Sequence, residues 1–482
     1  MEKLFFRPQN AWVGDLIPYY EDGTYYAFYL HDPRCREEGT YAEETTWHLV
    51  TTKDLCSLEY HGEAIPRGKE DEPNANCYTG SVVRAADGQY IVFFTAFNEK
   101  VCIDGKAVQS VMRATGPDLY HLSPDPDFRM TADDAIYESF DWRDPYVFYN
   151  DEDACWWMIL AARKKGEGAL RGGCLALCKS DDLTHWTYEQ PFFSPGMYVT
   201  MECPEVFRMG NWWYLVFSTF NDRFVTHYRI GTSPAGPWRI PENDAFDSRA
   251  NYAIKTASDG QKRFAFGWIP SKFGNTDFGS WEWGGTMVIH EVVQDPDTGE
   301  LTVKPIPRMT EFFRKALPAQ EPETWNASWN AGLKRLEAQN MGSALIPVPE
   351  DGFYADIRFR LEEASELGIV LHSQSGLESG CFLKMKPSMN MMAMDQWPRC
   401  ASQGRYQWQI NGDCSFAVET MRPLPKGPDY RIRVFREDDI CVIYVNDRVA
   451  LSTRIYNHTG KCAGIYLVQG SVSGLEMKVY RR

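Results

Sequence analysis

Short apolar stretches alternate with tight turns over roughly the first 300 residues. The stretches are rich in Tyr, Phe, Trp and Val, and the turns between them contain Asp-Gly or Asn. Residues 14–29 resemble residues 80–94, and similar strand pairs begin at residues 144, 202 and 252. Because amphipathic helical periodicity is scarce, the pattern predicts strand pairs joined by hairpin turns.

These strand pairs form a repeat. Their starts recur every ~50–65 residues, a little above the ~40–50 typical of propeller blades. Two further similar segments, residues 52–55 and 180–186, lie between the pairs and are predicted to be outer strands. The pattern therefore predicts an all-β fold that begins with a five-bladed β-propeller, with four strands in each blade.

Three acidic residues occupy matching places in this repeat. Counting eight residues back from the turn glycines arrives at the starts of four first strands, namely Asp15, Gly80, Glu202 and Tyr252. The third unit lacks the glycine and begins at Asp144. The innermost strands of a propeller line its central channel, and their starts lie at one end of it. We therefore expect Asp15, Asp144 and Glu202 to meet at one channel mouth.

Carboxylates gathered around one pocket are typical of glycoside hydrolysis, in which one attacks or activates water and another protonates the leaving oxygen. Arg143, beside Asp144, is expected to bind sugar hydroxyls and to keep its neighbour ionised. A Ca²⁺ site is the alternative, but no EF-hand-like spacing accompanies these acids. The absence of H-E-x-x-H disfavours a zinc hydrolase, and the sequence has no G-x-S-x-G, phosphate-loop or dinucleotide motif.

Composition narrows the range of partners. The 482 residues include 50 Lys plus Arg and 66 Asp plus Glu, and the net charge of −16 disfavours nucleic acid and anionic membrane surfaces. No apolar run reaches the ~18–20 residues of a membrane helix, and the N-terminus lacks the apolar stretch of a signal peptide. The 13 Cys without C-x-x-C pairs indicate reduced thiols, so we expect a cytoplasmic protein.

Aromatic residues make up 14% of the chain. Their faces suit packing within sheets and equally suit stacking against a sugar ring. Those near the expected channel mouth are candidates for contact with a small carbohydrate: Trp12, Tyr78, Trp142, Trp268, Trp281 and Trp283.

Four segments, in order along the chain, resemble the motifs of glycoside hydrolase family 32, the β-fructofuranosidase, invertase and levanase family. Residues 12–15 (Trp-Val-Gly-Asp) resemble the start of its W-M-N-D-P-N motif, and residues 78–81 (Tyr-Thr-Gly-Ser) its F-S-G-S motif. Residues 142–145 contain its R-D-P motif, and residues 201–207 resemble its E-C-P motif. A weaker similarity to the late G-W…W motif covers residues 266–287.

The resemblance implies a role for each acid. Asp15 corresponds to the nucleophile, Glu202 to the acid/base, and Asp144 to a residue that stabilises the transition state through sugar hydroxyls. It thereby implies hydrolysis of a fructofuranoside by a retaining double displacement without a metal or organic cofactor. It also places Arg143 and Ser81 among the expected substrate-binding residues.

A C-terminal β-sandwich is a further implication of the resemblance. Alternation in residues 353–359 and the run at residues 368–371 agree with half-buried and buried strands of a sandwich. The polar, proline-containing stretch 317–328 is the expected linker. The expected domains are therefore a propeller at residues 1–316 and a sandwich at residues 329–482.

The match to the family breaks around the nucleophile. The family has Asn before that Asp and Pro-Asn-Gly after it, whereas this chain has Gly14 and then Leu-Ile-Pro at residues 16–18. The family's F-Y-Q is Phe-Tyr-Leu here, which places Leu30 where an amide is expected. A pocket without those amides loses hydrogen bonds to its sugar, so an unusual fructoside or another furanoside is a possible substrate.

Three other functions remain open on the sequence alone. An inverting arabinosidase or xylosidase of family 43 would use the first Asp as a general base, with the carboxyl groups ~6.5–9.5 Å apart. A fructosyltransferase would use the same residues with an acceptor sugar in place of water. A non-catalytic sugar-binding propeller is disfavoured because all three acids are retained. The oligomeric state is left open.

Overall fold

The computed structural model describes residues 3–34, 44–103, 105–166, 171–221, 224–277, 279–374, 376–397 and 422–482. Contacts divide the chain into two compact units. The first comprises Met1–Ala245, Asn251–Trp268 and Trp283–Leu301, and the second Phe246–Ala250, Ile269–Glu282 and Thr302–Arg482. That these units are separate domains with a linker at residues 317–328 stays a proposal.

Five antiparallel blades, each built from consecutive strands, contain most of the first unit. Blade I consists of β1 (Trp12–Glu21), β2 (Thr24–Asp32), β3 (Thr46–Thr52) and β4 (Glu59–Ile65). Blade II consists of β5 (Asn76–Arg84), β6 (Tyr90–Ile103), β7 (Lys106–Gly116) and β8 (Ser123–Met130). Blade III consists of β9 (Tyr137–Asn150), β10 (Cys155–Lys164), β11 (Gly173–Ser180) and β12 (Thr187–Tyr188).

The last two blades complete the propeller. Blade IV consists of β13 (Glu202–Met209), β14 (Trp212–Thr219) and β15 (Val225–Gly231). Blade V consists of β16 (Tyr252–Ser258), β17 (Arg263–Lys272), β18 (Trp281–Gln294) and β19 (Leu301–Pro305). The end of β17, the start of β18 and most of β19 fall in the second unit. Pairing of Val13 with Gly285 joins β1 to β18, so blade V is hydrogen-bonded to blade I.

Blade IV differs from the prediction of four strands per blade. Its fourth position is taken by two isolated bridges, Ile230 with Arg239 and His227 with Ala245. Three prolines lie between residues 232 and 242. A proline lacks the N–H that a ladder needs, so this segment pairs at single points and forms no continuous strand.

The second unit is a β-sandwich. It begins with the helix α1 (Pro307–Phe312) and continues with these strands: β20 (Lys315–Ala316), β21 (Glu323–Trp325), β22 (Ser328–Asn330), β23 (Arg335–Pro347), β24 (Gly352–Ser373), β25 (Gly380–Lys386), β26 (Met391–Trp397), β27 (Arg422–Pro423), β28 (Asp429–Glu437), β29 (Ile440–Val445), β30 (Val449–Arg454) and β31 (Cys462–Arg481). Two 3₁₀ turns also belong to this unit, Phe273–Asn275 and Pro387–Met389.

Two long strands connect the faces of the sandwich. The first half of β24 pairs with β28, and its second half pairs with β25. Register shifts near Arg358 and Leu361 bend β24 between these two pairings, and β31 follows it throughout. The buried side chains between the faces include Ile357, Val434 and Leu467. The prediction of an all-β chain with a five-bladed propeller and a C-terminal sandwich is confirmed.

Within the described residues, no helix is both long enough and apolar enough to cross a membrane.

Most blade strands are buried on both faces, as in β15, where all seven residues are buried. Such strands read as continuous apolar runs because each blade packs between two others.

Candidate active site

A β-bulge interrupts the innermost strand of every blade at the same place. In β13, Glu202 pairs with Ser218, but the next pairing joins Glu205 to Val216, so the inner strand has one extra residue. The other inner strands show the same shift, beginning after Val13 in β1, Tyr78 in β5, Arg143 in β9 and Tyr252 in β16. Bulges redirect side chains, and here each lies where its strand begins to line the centre of the unit.

The three acids occupy successive positions of this bulge and not equivalent ones. Glu202 is the last paired residue before it, Asp144 is the first residue inside it, and Asp15 is the second. Positions equally far from the turn glycine are therefore not equivalent relative to the bulge. Six residues are paired between bulge and turn in β1, but only five in β13. The backbone is left-handed at Asp144 and at Cys203, with φ of 58° and 49°.

The acids nevertheless line one cavity of about 630 Å³ within the first unit. Asp15, Asp144 and Glu202 all contribute to its wall, together with Arg143 and Tyr78. The expectation that carboxylates far apart in sequence converge agrees with this arrangement. Among the described residues, no group of three His, Cys, Asp or Glu side chains has the geometry of a metal site.

Asp15 accepts a hydrogen bond on each carboxylate oxygen. The Thr79 hydroxyl donates to Oδ2 at 2.5 Å, and the Trp268 indole N–H donates to Oδ1 at 2.9 Å. Burial and the neighbouring Asp144 carboxylate raise the pKa of Asp15, while both donors oppose that rise. The donors also hold the carboxylate in a single orientation, as a nucleophile requires.

Glu202 lies between a guanidinium and a phenol. Arg143 Nη2 donates to Oε1 at 3.1 Å, and the Tyr252 hydroxyl donates to Oε2 at 2.6 Å. Burial raises the pKa of Glu202, and the Arg143 charge opposes the rise only in part. A carboxyl group that keeps its proton towards neutral pH is suited to general acid catalysis.

Asp144 is held by one backbone donor to its carboxylate and by a hydrogen bond from its own N–H. The Cys203 N–H donates to its Oδ2 at 2.9 Å, and its own N–H donates to the Thr95 hydroxyl at 2.7 Å. Arg143 Nε lies 4.0 Å from the same Oδ2. The Asp144 carboxylate is therefore fixed in place at the wall of the cavity.

Arg143 connects the acids. Its Nη1 donates to Asp141 at 2.5 Å and to the Gln109 side-chain oxygen at 3.2 Å, while Nη2 reaches Glu202. Burial alone would lower the pKa of Arg143, but the charges of Glu202, Asp144 and Asp141 raise it. The guanidinium therefore stays charged.

Cys203 joins the two Asp side chains. Its Sγ lies 3.6 Å from Asp15 Oδ2, and its N–H binds Asp144. Burial raises the pKa of the Cys203 thiol well above its usual value, so the group remains neutral and can donate to the carboxylate. Because Cys203 directly follows Glu202, the bulge of β13 places one residue next to Glu202 in contact with both Asp15 and Asp144.

Three of the predicted aromatic residues belong to this site, and one of them, Trp283, lines the cavity beside Leu30. Tyr78 lines the cavity and stacks on Phe97, with ring centroids 5.7 Å apart. Trp268 is completely buried and donates its N–H to Asp15, so it presents no face for stacking.

The structure does not place four other predicted residues at the cavity. Ser81 is buried and accepts the Val147 N–H at 2.9 Å, which ties β5 to β9. Trp142 is completely buried against Tyr137, with centroids 5.4 Å apart. Arg34 covers the Trp12 ring at 4.1 Å.

Trp281, the fourth, belongs to the second unit. The Lys272 ammonium lies 4.2 Å from its ring centroid. This cation–π contact accounts for the indole without any sugar.

Several residues of the site were not predicted from the sequence. Tyr252 takes the same register position as Glu202, and the repeat alone could have identified it. Thr79 lies within the Tyr-Thr-Gly-Ser segment, whose resemblance to the family motif points to Ser81 and not to Thr79. Gln109 and Asp141, which hold Arg143, carry no local signal, because an isolated amide or acid in a strand is usually a surface residue.

Comparison with known proteins agrees with this geometry. Residues 5–305 match the model of the glycosyl hydrolases family 32 N-terminal domain. Sucrose-6-phosphate hydrolase of Escherichia coli is 23% identical over 477 residues, which is 93% of this chain and 88% of that protein. Raffinose invertase of Escherichia coli is 25% identical over 336 residues, covering 64% of this chain and 66% of the relative.

Solved structures show the same fold. Exo-inulinase from Aspergillus awamori superposes with a TM-score of 0.73 at 16% identity, covering 100% of this chain and 98% of that one. Fructan 1-exohydrolase IIa from Cichorium intybus gives a TM-score of 0.73 at 16% identity, with coverage of 100% and 97%. The resemblance found in the motifs is confirmed, and since the family model spans most of the chain, this protein is a glycoside hydrolase of family 32.

Proposed function

We propose that this protein hydrolyses a β-fructofuranosidic bond by a retaining double displacement, with Asp15 as nucleophile and Glu202 as acid/base. One observation carries the proposal: Cys203 contacts Asp15 and Asp144 while directly following Glu202, so the three acids face one cavity. The names of the relatives, among them an invertase and a levanase, support a fructoside as the substrate.

In the first step Asp15 attacks the anomeric carbon. A carboxylate C–O bond forms as the glycosidic C–O bond breaks, and the leaving oxygen takes the proton of Glu202. The donors Thr79 and Trp268 keep Asp15 oriented towards that carbon. Burial, which raises the pKa of Glu202, keeps its proton available for the leaving group.

In the second step Glu202 acts as a base. Having lost its proton, it is stabilised by Arg143 and Tyr252, and it removes a proton from water as the water attacks the anomeric carbon. The bond to Asp15 then breaks. Asp144, fixed by the Cys203 N–H, is placed to accept hydrogen bonds from ring hydroxyls as positive charge develops on the sugar.

The pH dependence of the reaction follows from these contacts. The value of kcat/KM should rise with pH as Asp15 ionises and fall as Glu202 loses its proton. Thr79→Val removes a donor that lowers the pKa of Asp15, so the rising limb should move to higher pH. Tyr252→Phe removes a donor that lowers the pKa of Glu202, so the falling limb should move to higher pH. Each variant serves as the control for the other, and a shift of the same limb in both would contradict the assignment.

The stereochemical outcome tests the proposal as a whole. Hydrolysis of a neutral β-fructoside in the presence of methanol should yield methyl β-fructofuranoside, visible by NMR, because two inversions retain the configuration. Sucrose, raffinose and aryl β-fructosides are suitable substrates, with arabinosides and xylosides beside them. An inverted product, release of arabinose or xylose alone, or binding without turnover would overturn it. The ratio of transfer to hydrolysis measures any transferase character.

The charge of the cavity favours an uncharged substrate. Carboxylates outnumber guanidinium groups by five to two among the described residues of its wall, and Arg143 is already paired with acids. A phosphate dianion would be repelled, so we expect kcat/KM for sucrose-6-phosphate to be at least about tenfold below that for sucrose. Parallel progress curves at 0.15 M salt measure this ratio; a preference for the phosphate ester would contradict it.

The cellular location stays a proposal as well. The described cysteines are free thiols, with Cys203 and Cys441 among the buried ones. Free thiols are usual in a reducing compartment, which supports the cytoplasm.

A further inference from the structure

One side of the cavity, next to the nucleophile, is built from carbon. Gly14 directly precedes Asp15 in the bulge of β1, and Leu30 lies opposite that bulge on β2. The indole of Trp283 covers Gly14 so closely that a Cβ added there would lie 2.3 Å from Trp283 Cη2 and 3.0 Å from Leu30 Cβ. We call Gly14, Leu30 and Trp283 the carbon wall.

The carbon wall faces the substrate. Leu30 and Trp283 line the same cavity as Asp15. Trp283 is 37% exposed, whereas Leu30 is 1% exposed and Gly14 lies behind the indole. Its edge packs on Trp268, with centroids 5.8 Å apart, and Trp268 donates to Asp15. A sugar bound at the nucleophile therefore lies within reach of this indole.

The position of Trp283 is well defined. Its carbonyl oxygen accepts a hydrogen bond from Arg34 at 2.5 Å, and the next carbonyl, of Gly284, accepts from the same guanidinium at 3.0 Å. Arg34 is in turn paired with Asp32 and stacked on Trp12. The backbone that carries Trp283 is therefore held in place by Arg34.

The wall offers no side-chain hydrogen-bond acceptor, and its one polar side-chain group is the Trp283 indole N–H. A hydroxyl turned towards its carbon atoms would lose its bond to water without replacement, which weakens binding by about ten- to a hundredfold. A C–H edge loses nothing there and gains contact with the indole face. The wall therefore selects the edge of the sugar that it meets.

Resting on the proposed function, we propose that the carbon wall is a specificity determinant, and that the substrate is a furanoside whose glycosyl ring turns a hydroxyl-free edge towards Gly14, Leu30 and Trp283. In a complete fructosyl unit, the hydroxyl at that edge gains no hydrogen bond from the wall's carbon atoms, so a fructosyl unit that lacks this one hydroxyl is accepted as well as the complete sugar. At that edge, the protein recognises the sugar by the shape of the carbon wall and not by hydrogen bonds.

Aryl β-fructofuranosides with single deoxy positions test the proposal. We expect one deoxy analogue to keep a kcat/KM within about threefold of its parent or above it, while the others fall by about 10²-fold, as when a hydrogen-bonding site meets an analogue without the hydroxyl. A loss of about 10²-fold for every deoxy analogue would overturn the proposal. If the parent itself is not hydrolysed, the proposed function fails instead, so the two failures are distinct.

Variants of the wall link this tolerance to its residues. Trp283→Ala combined with Gly14→Asn and Leu30→Gln supplies amides and the space for them, and should make the parent preferred over the tolerated analogue by about tenfold. Gly14→Asn alone should be poorly active because its side chain meets the indole, and adding Trp283→Ala should restore activity. Phe220→Ala, at an aromatic residue of the same cavity outside the wall, should leave the ratio unchanged. An unchanged ratio in the triple variant would refute the assignment.

Discussion

Asp15→Asn is expected to lower kcat for β-fructoside hydrolysis by about 10⁴-fold or more, the scale of loss when a nucleophile is removed. The amide has nearly the same shape as the carboxylate, and its oxygen can still accept the Trp268 N–H. It cannot form the glycosyl–enzyme bond, because a neutral amide is a poor nucleophile. The measurement is the initial rate with sucrose, with mass spectrometry of the intact protein after brief incubation with an activated fluoride substrate.

Asp32→Asn is the matched control for this variant. Asp32 lines the same cavity but is paired with Arg34, 3.0 Å away. Its substitution removes one charge from the cavity without removing a nucleophile, so the rate should fall by less than about tenfold. Thermal unfolding of both variants should remain close to that of the unmodified protein. Asp15→Asn with more than a tenth of the original rate would show that Asp15 does not attack the sugar.

Glu202→Gln should separate substrates by their leaving groups. For sucrose, whose leaving group needs a proton, we expect a fall in kcat/KM of about 10³-fold, within the usual range for general acid catalysis. For an aryl fructoside with a good leaving group, the loss in the first step should be under about tenfold, because little protonation is needed. Stopped-flow release of the phenol measures that step directly.

Azide provides the second readout for this residue. In Glu202→Ala the fructosyl–enzyme forms from the aryl substrate, but no base activates water. Azide needs no base, so it should restore turnover and yield β-fructosyl azide with retained configuration. The Asp15 variants should show no such rescue with retention. Equal losses for sucrose and the aryl substrate, without rescue, would remove Glu202 from the acid/base role.

Much of the fold could be predicted from the sequence because each strand pair has a recognisable local pattern of apolar stretches and turns. Apolar stretches separated by turns marked the blades, and the Trp-Arg-Asp-Pro and Met-Glu-Cys-Pro segments marked where inner strands begin. The same reasoning missed the irregular fourth position of blade IV. Prolines prevent a continuous ladder of hydrogen bonds there, so the segment does not form the fourth strand that the repeat predicts.

The substrate-binding residues could be predicted less well, since aromatic side chains look alike in sequence whichever face of a blade they occupy. Trp142 and Trp268 are both completely buried, yet only Trp268 reaches the nucleophile. When a strand is buried on both faces, alternation cannot tell the cavity side from the side that packs on the next blade.

The sequence by itself determined the family and the all-β fold and predicted the three acids, because these depend on local periodicity and short motifs. Only the tertiary structure decided which residues surround those acids. The Trp268–Asp15 hydrogen bond spans 253 positions of sequence, and Trp283 covers Gly14 across the contact between blades V and I. Such contacts form when the last blade pairs with the first. A local pattern of polar and apolar residues does not predict which side chains this pairing places in contact.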